Sequence, residues 1–161
     1  EAKQIVNEVK KREAYRPFAC TVLKEHAHEY FEMLQLEESP WMSFAIKAKQ
    51  KAYDEIPSLV HADGTCRIQT VTQEQNPNYY NLIKAFGDET GTPILFNTSF
   101  NLGGEALVET IYDAIDTCNR SMINQLYVPI DQDIEIPYAM LRVKTPPENN
   151  KVKKAPRYEN D

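Results

Sequence analysis

Asn76-Pro77 opens a helical pattern, Gly87 offers to close it, and a strand-sized apolar run, Pro93 to Phe96, follows. Asn suits the N-cap and Pro the first helical turn. Tyr79, Leu82, Ile83 and Phe86 then stand at i, i+3, i+4 and i+7, one side of a helix. Glycine is the common stop. A helix handing over to a strand in this way constrains the chain more than any other feature, because the same alternation runs through the body. It predicts the α/β class, with a twisted mixed sheet flanked by helices in a single domain.

The other segments fit that class. Glu1 to about Lys11 is rich in helix formers, with Ile5 and Val9 on one face. Arg16-Pro17 forces extended backbone, and Phe18 to Val22 predicts a short buried strand. Leu23 to Leu34 predicts a helix with the stripe Leu23, Ala27, Tyr30, Phe31 and Leu34. Strands are predicted at Trp41 to Ile46, from Leu59, and at Cys66 to Thr72, with Lys47 to Lys51 a solvated edge or loop. In Cys66 to Thr72, alternation puts Arg67, Gln69 and Val71 opposite Cys66, Ile68 and Thr70. Thr110 and Asp113 resemble a capping box for a helix buried through Ile111, Ala114, Ile115 and Cys118. Leu126 to Val128 predicts a last strand, and Ile134 to Val143 an extended segment. The domain is expected to span 1–143. The polar, charged stretch 144–161 is expected to be a disordered tail.

Composition excludes some functions. A net charge of -6 and a pI near 5.2 argue against general binding to nucleic acid or acidic membranes. No apolar run approaches the roughly 20 residues of a membrane span. Cys20, Cys66 and Cys118 form no CxxC pair and too sparse a set for a disulfide framework, so free thiols in a reducing, cytoplasmic setting are expected. The chain starts at Glu1 without Met, as a piece cut from a longer polypeptide would.

Three stretches carry chemistry. Val9 to Phe18 holds Lys10, Lys11, Arg12 and Arg16. Cations suit a helix C-terminus and solvate easily, yet Arg16, beside Pro17-Phe18, is also placed to grip a phosphate or carboxylate bidentately. His61 to Gln69 reads as a hairpin around Asp63-Gly64 with an exposed Arg67, or as a second cation at a site. His61 fits a hydrogen-bonded structural histidine better than a base. Asn97, Thr98, Ser99 and Asn101 end a strand with neutral hydrogen-bonding groups, where open α/β sheets bind ligands, or they only make a turn. No P-loop, GxGxxG, Ser-His-Asp triad or metal-ligand spacing is present.

At these three stretches the sequence resembles the C-terminal domain of the O-carbamoyltransferases, the nodulation and antibiotic-tailoring carbamoyltransferases. VKKREAYRPFAC (9–20), HADGTCRIQTV (61–71) and LFNTSFNLGGEA (95–106) are similar, in order and spacing, to that family's VKxREPFRPFAP-, HVDGTARVQTV- and LNTSFNxxGEP-like elements. The helix QNPNYYNLIKAF lies between the second and third, and the likeness covers roughly residues 1–128. It implies a YrdC-like domain that binds ATP, as ATP-Mg2+, and carbamoyl phosphate. Such a domain makes carbamoyl adenylate, which a separate N-terminal Kae1-like domain passes to an acceptor hydroxyl. By the same likeness Lys10, Arg16 and Arg67 are the catalytic cations. Arg12, Asn97, Ser99 and Asn101 join them in binding ATP and carbamoyl phosphate, and no residue is assigned to a metal. Cys20, Ala14-Tyr15 and Ala106 depart from the family pattern without removing a cation. The competing reading is a non-catalytic module that holds a nucleotide or RNA on a basic concave surface.

Overall fold

In the computed structural model, which describes residues 2–129 and 138–142, the Asn76 carboxamide caps a helix as its sequence predicts. Its side chain accepts from the Tyr79 amide at 3.0 Å, and the helix (α4, Pro77–Thr90) begins at Pro77. It does not stop at Gly87. It runs on to Gly91, whose φ of 80° needs a residue without a Cβ. Gly87 serves packing instead: a Cβ there would come 2.9 Å from Cβ of Pro93, so the missing side chain lets the helix lie against the next strand's entry.

The chain divides into two compact units, Glu1–Ser99 and Phe100–Asp161. In the first, α1 (Ala2–Lys10) leads to β1 (Ala19–Leu23), α2 (Ala27–Tyr30), β2 (Ala45–Lys47), α3 (Gln50–Glu55), β3 (Thr65–Val71), α4 and β4 (Ile94–Asn97). The four strands form one sheet in the order β2-β3-β1-β4. β1 lies parallel to β3 and antiparallel to β4, and β2 is antiparallel to β3. The α/β class and the mixed sheet are thus as expected.

Strand parity sorts the side chains. One face carries Cys20, Val22, Ile46, Cys66, Ile68 and Ile94, packed against Ala27, Tyr30, Phe31, Ala52, Ile56 and Leu59. The opposite face is covered at one end by α4. There Ile83 of α4, with Tyr79 and Tyr80 beside it, packs on Leu23, Val71 and Leu95. Its other end bears Arg67, Ala19 and Asn97 in a single row across the strands, and Arg67 is exposed.

Several expectations need correction. Leu23 closes β1, and a 3-10 turn (Lys24–His26) leaves only one turn of true helix before Phe31 becomes extended. Leu34 takes φ 51° and is 88% exposed, so it left the expected stripe while Tyr30 and Phe31 stayed fully buried. Trp41 to Phe44 is loop, and the strand starts at Ala45. Lys47 is exposed on the edge strand β2, as a solvated edge would be, but α3 starts at Gln50, so the stretch to Lys51 is not all loop. Leu59 ends a 3-10 turn, Pro57–Leu59, and the strand waits until Thr65. In α1 the inward face is Val6, Asn7 and Lys10, not Ile5, which is 53% exposed.

The second unit is described by itself. Thr110 caps α5 (Ile111–Asn119) in a complete capping box: Thr110 Oγ1 accepts from the Asp113 amide, and the Asp113 carboxylate accepts from the Thr110 amide at 2.9 Å. Ala114 and Cys118 are buried, whereas Ile111 of the expected stripe is exposed. β5 (Gln125–Pro129) pairs antiparallel with β6 (Tyr138–Arg142). The tail expected at 144–161 lies outside the described residues. Thr110→Ala removes the cap acceptor and is expected to cost about 1 kcal/mol. Amide exchange in the first turn of α5 should accelerate with it; unaltered protection there would mean the cap contributes nothing.

Candidate functional site

The end of the Arg67-bearing face away from α4 is held by a chain of amides. The Pro40 carbonyl can only accept, so the side chain of Gln69 donates to it through Nε2, at 3.0 Å. Its Oε1 is thereby left to accept. The Asn97 amide donates to that oxygen at 2.8 Å and to Thr21 Oγ1 at 2.7 Å, while the Thr21 hydroxyl donates to Gln69 Oε1 at 3.1 Å. Asn97 thus spends its side-chain N–H groups on partners within the sheet. Thr21 is fully buried, the one polar side chain of an otherwise apolar strand.

Arg67 stands in the same row, two strands from Asn97 and so about 10 Å away. Its Nε donates to the Met42 carbonyl at 2.9 Å, which fixes the guanidinium plane beside the 39–44 loop. The row lies where β4 ends but where β1 and β3 begin. Ligand binding at carboxyl ends of strands therefore applies here to β4 alone.

Lys10 reaches this edge from α1. The helix ends in a Schellman turn: the Arg12 amide donates to Asn7 O at 3.0 Å, the Lys11 amide to Glu8 O at 3.2 Å, and Lys11 takes φ 52°. Lys10 is only 7% exposed, and its ammonium donates to the Ser99 carbonyl and, at 3.2 Å, to Ser99 Oγ. Burial, then the charges of Arg12 and Arg16, holds its pKa below the ordinary lysine value.

Arg12 is gripped next to it. It donates to Thr98 Oγ1 at 3.3 Å and to Pro17 O at 2.8 Å, with its guanidinium carbon 4.4 Å from the centre of the Phe18 ring. Phe18 in turn meets Phe96 edge-on, centroids 5.1 Å apart. The Arg12 Nε is buried with no hydrogen-bond partner among the described residues. Burial and then Arg16 lower this guanidinium's pKa too.

The structure thus brings Lys10 onto Ser99 and Arg12 onto Thr98, and sets Asn97 and Arg67 in one row. Arg16 joins them through its field alone: its side chain is 55% exposed and lies 3.5 Å from the Glu13 carboxylate. Asn101 belongs to the second unit, where its amide donates to Glu105 O at 2.8 Å. His61 is structural, as expected: Nε2 faces the Phe18 carbonyl at 2.9 Å, so it donates there. Sequence reasoning passed over Thr21 and the anchored carbonyls of Pro40 and Met42. Thr21 had a signal, a lone hydroxyl in an apolar strand; the carbonyls had none.

Among the described residues no three His, Cys, Asp or Glu side chains gather as metal ligands, and no helix is long and apolar enough to cross a membrane. The three thiols are free and buried, and burial raises the Cys66 pKa to about 12.

Residues 1–131 match the family described as carbamoyltransferase C-terminus, and all three cation-bearing and polar stretches fall inside the match. The chain belongs to that family. It is similar to nodulation protein NolO of Bradyrhizobium diazoefficiens, 43% identical over 121 residues that cover 74% of this chain and 22% of that protein. It is also 33% identical, over 127 residues, to the 3'-hydroxymethylcephem-O-carbamoyltransferase of Amycolatopsis lactamdurans, covering 76% of this chain and 23% of that one. An uncharacterized Methanocaldococcus jannaschii protein, MJ1058, is 42% identical over 125 residues, 78% of this chain and 20% of that one. The chain thus spans about a fifth of the length of the curated relatives it matches.

Proposed function

We propose that this chain is the adenylating part of an O-carbamoyltransferase, binding ATP-Mg2+ and carbamoyl phosphate at the end of its sheet that bears Arg67 and Asn97. The observation that carries the reading is the buried lysine at the end of α1, in contact with the serine that follows β4, with Arg12 gripped beside it. A cation kept in place despite burial is costly to a fold. An anionic ligand offsets that cost.

Each residue then has a task. Water cleaves carbamoyl phosphate to carbamate and inorganic phosphate. A carbamate oxygen attacks the α-phosphorus of ATP, and the bond to the β-phosphate oxygen breaks, which gives carbamoyl adenylate and pyrophosphate. Both partners are anions, and negative charge spreads over phosphoryl oxygens in the transition state. Lys10 and Arg67 neutralise it from fixed positions, which costs no reorganisation at the moment of reaction. Arg12, clamped between Thr98, Pro17 O and the Phe18 ring, adds a positive wall, and Arg16 adds long-range field. Ser99 offers its hydroxyl, and Asn97 keeps the row in register. Magnesium arrives with ATP and supplies charge neutralisation on the phosphates. It needs no dedicated protein cage. Transfer to an acceptor hydroxyl falls to the rest of a longer polypeptide, a Kae1-like domain.

The half-reaction is testable with the 161-residue chain. Given ATP, Mg2+ and carbamoyl phosphate, it is expected to release pyrophosphate, and to stop when carbamoyl phosphate is withheld. ATP binding without any pyrophosphate release would remove the adenylation step from the reading. Salt-sensitive RNA binding without response to ATP would replace the enzyme by a nucleic-acid module.

A further inference from the structure

The 39–42 segment is fastened along β3 almost residue by residue. The Ser39 amide donates to Thr70 Oγ1 at 2.8 Å, the Ser39 hydroxyl donates to Ile68 O at 3.2 Å, and the Thr70 amide donates to Ser39 O at 3.0 Å. Gln69 then takes the Pro40 carbonyl and Arg67 the Met42 carbonyl. Trp41 lies between these two. It is 82% exposed and is the chain's one tryptophan.

A single exposed apolar residue is ordinary. This one differs in what holds it. Both neighbouring carbonyls are bound by side chains of the candidate site, Gln69 from the Asn97 amide network and Arg67 from the row it shares with Ala19 and Asn97. Met42 also takes φ 52°, a left-handed conformation that L-residues other than glycine rarely adopt. A large flat ring is therefore presented to solvent on rigid backbone, at the margin of the place where phosphates would bind. The phosphate-facing residues are cations and amides. None of them offers a flat apolar surface for a base.

We infer that Trp41 is the stacking platform for the purine base of the bound nucleotide, with Arg67 and Gln69 setting its position from the same sheet face that meets the phosphates. The inference rests on the nucleotide reading proposed above and adds the base-recognition element to it. Stacking on an aromatic ring tolerates any base, so the platform contributes affinity and placement, and discriminates weakly among purines. It also links the two halves of the ligand: a change at Arg67 reaches the base through the Met42 carbonyl.

The one tryptophan makes the test direct. Titration of the chain with ATP-Mg2+ is expected to quench its intrinsic fluorescence saturably, with the midpoint that calorimetry gives. Tripolyphosphate-Mg2+, which lacks the base, should bind in the calorimeter without quenching. Trp41→Ala should weaken ATP binding roughly ten- to a hundredfold while leaving tripolyphosphate binding unchanged. Trp41→Phe should restore ATP affinity to within a few-fold. The side chain is exposed, so neither variant should shift the melting temperature. If ATP and tripolyphosphate bind equally well, with flat fluorescence and no effect of Trp41→Ala, the platform is refuted and the phosphate site stands. If neither ligand binds, the nucleotide reading falls and the platform with it.

Discussion

Lys10→Met is expected to slow pyrophosphate release by roughly a hundred- to a thousandfold, the usual loss when one fixed charge-stabilising donor is removed, and to leave the melting temperature unchanged or raised. The two effects have one cause. Lys10 is 7% exposed and its pKa is lowered, first by burial and then by Arg12 and Arg16. Below that lowered pKa both the folded and unfolded chains carry the charge, and the fold bears the full cost of burying it. Between the lowered value and the ordinary lysine value the unfolded chain binds more protons, so stability rises with pH across that window. Methionine has similar length and no charge, so it removes the cost. The bonds to Ser99 are lost in exchange.

Thermal melts from neutral to alkaline pH would check this. Any advantage of Lys10→Met over the parent should shrink as the pH climbs through the window. ATP-Mg2+ should raise the parent's melting temperature by mass action and leave that of the variant alone. A variant that unfolds readily yet keeps full activity would assign Lys10 a purely structural part.

Arg67→Ala is expected to cost on the order of 2–4 kcal/mol in transition-state stabilisation, by analogy with the loss of an oxyanion-hole donor, with little change in unfolding by urea. Arg67 is exposed, and its neighbours Cys66 and Ile68 pack on the opposite face. The same substitution frees the Met42 carbonyl. Arg67→Lys should therefore recover only part of the rate, because an ammonium on a flexible stem cannot bind that carbonyl and present a planar fork together. Rates of pyrophosphate release for the three proteins, set beside their urea midpoints, decide it. Full activity in Arg67→Lys would mean that charge alone matters at this position.

Period and punctuation carried much of the fold into the sequence. The alternation in Cys66 to Val71 fixed which side chains share Arg67's face, and Asn76 and Thr110 marked helix starts through chemistry that acts over a few residues. The misread places turned on contacts from far along the chain. Gly87 looked like a stop because its packing partner, Pro93, lies beyond the helix. The stripe from Leu23 to Leu34 mixed a strand end, a 3-10 turn and one helical turn, whose buried residues happen to share a spacing. α1 turned Asn7 and Lys10 inward against the ordinary rule for polar residues, and only its contact with Ser99, 89 residues away, makes sense of Lys10. The motifs named the site's residues; the register showed which of them stand together. Arg16, prominent by motif, lies against Glu13, and Thr21, which no motif marked, holds the row together.

The central claim is that Lys10 and Arg67, far apart in sequence, act on one nucleotide. Isothermal titration of the 161-residue chain with ATP-Mg2+, beside Lys10→Met, Arg67→Ala and Glu13→Gln, tests it most directly. The account predicts millimolar or tighter binding by the parent, loss of that binding in both cation variants, and no loss in Glu13→Gln, which removes only an exposed acid beside Arg16. Binding that survives unchanged in either Lys10→Met or Arg67→Ala would contradict it.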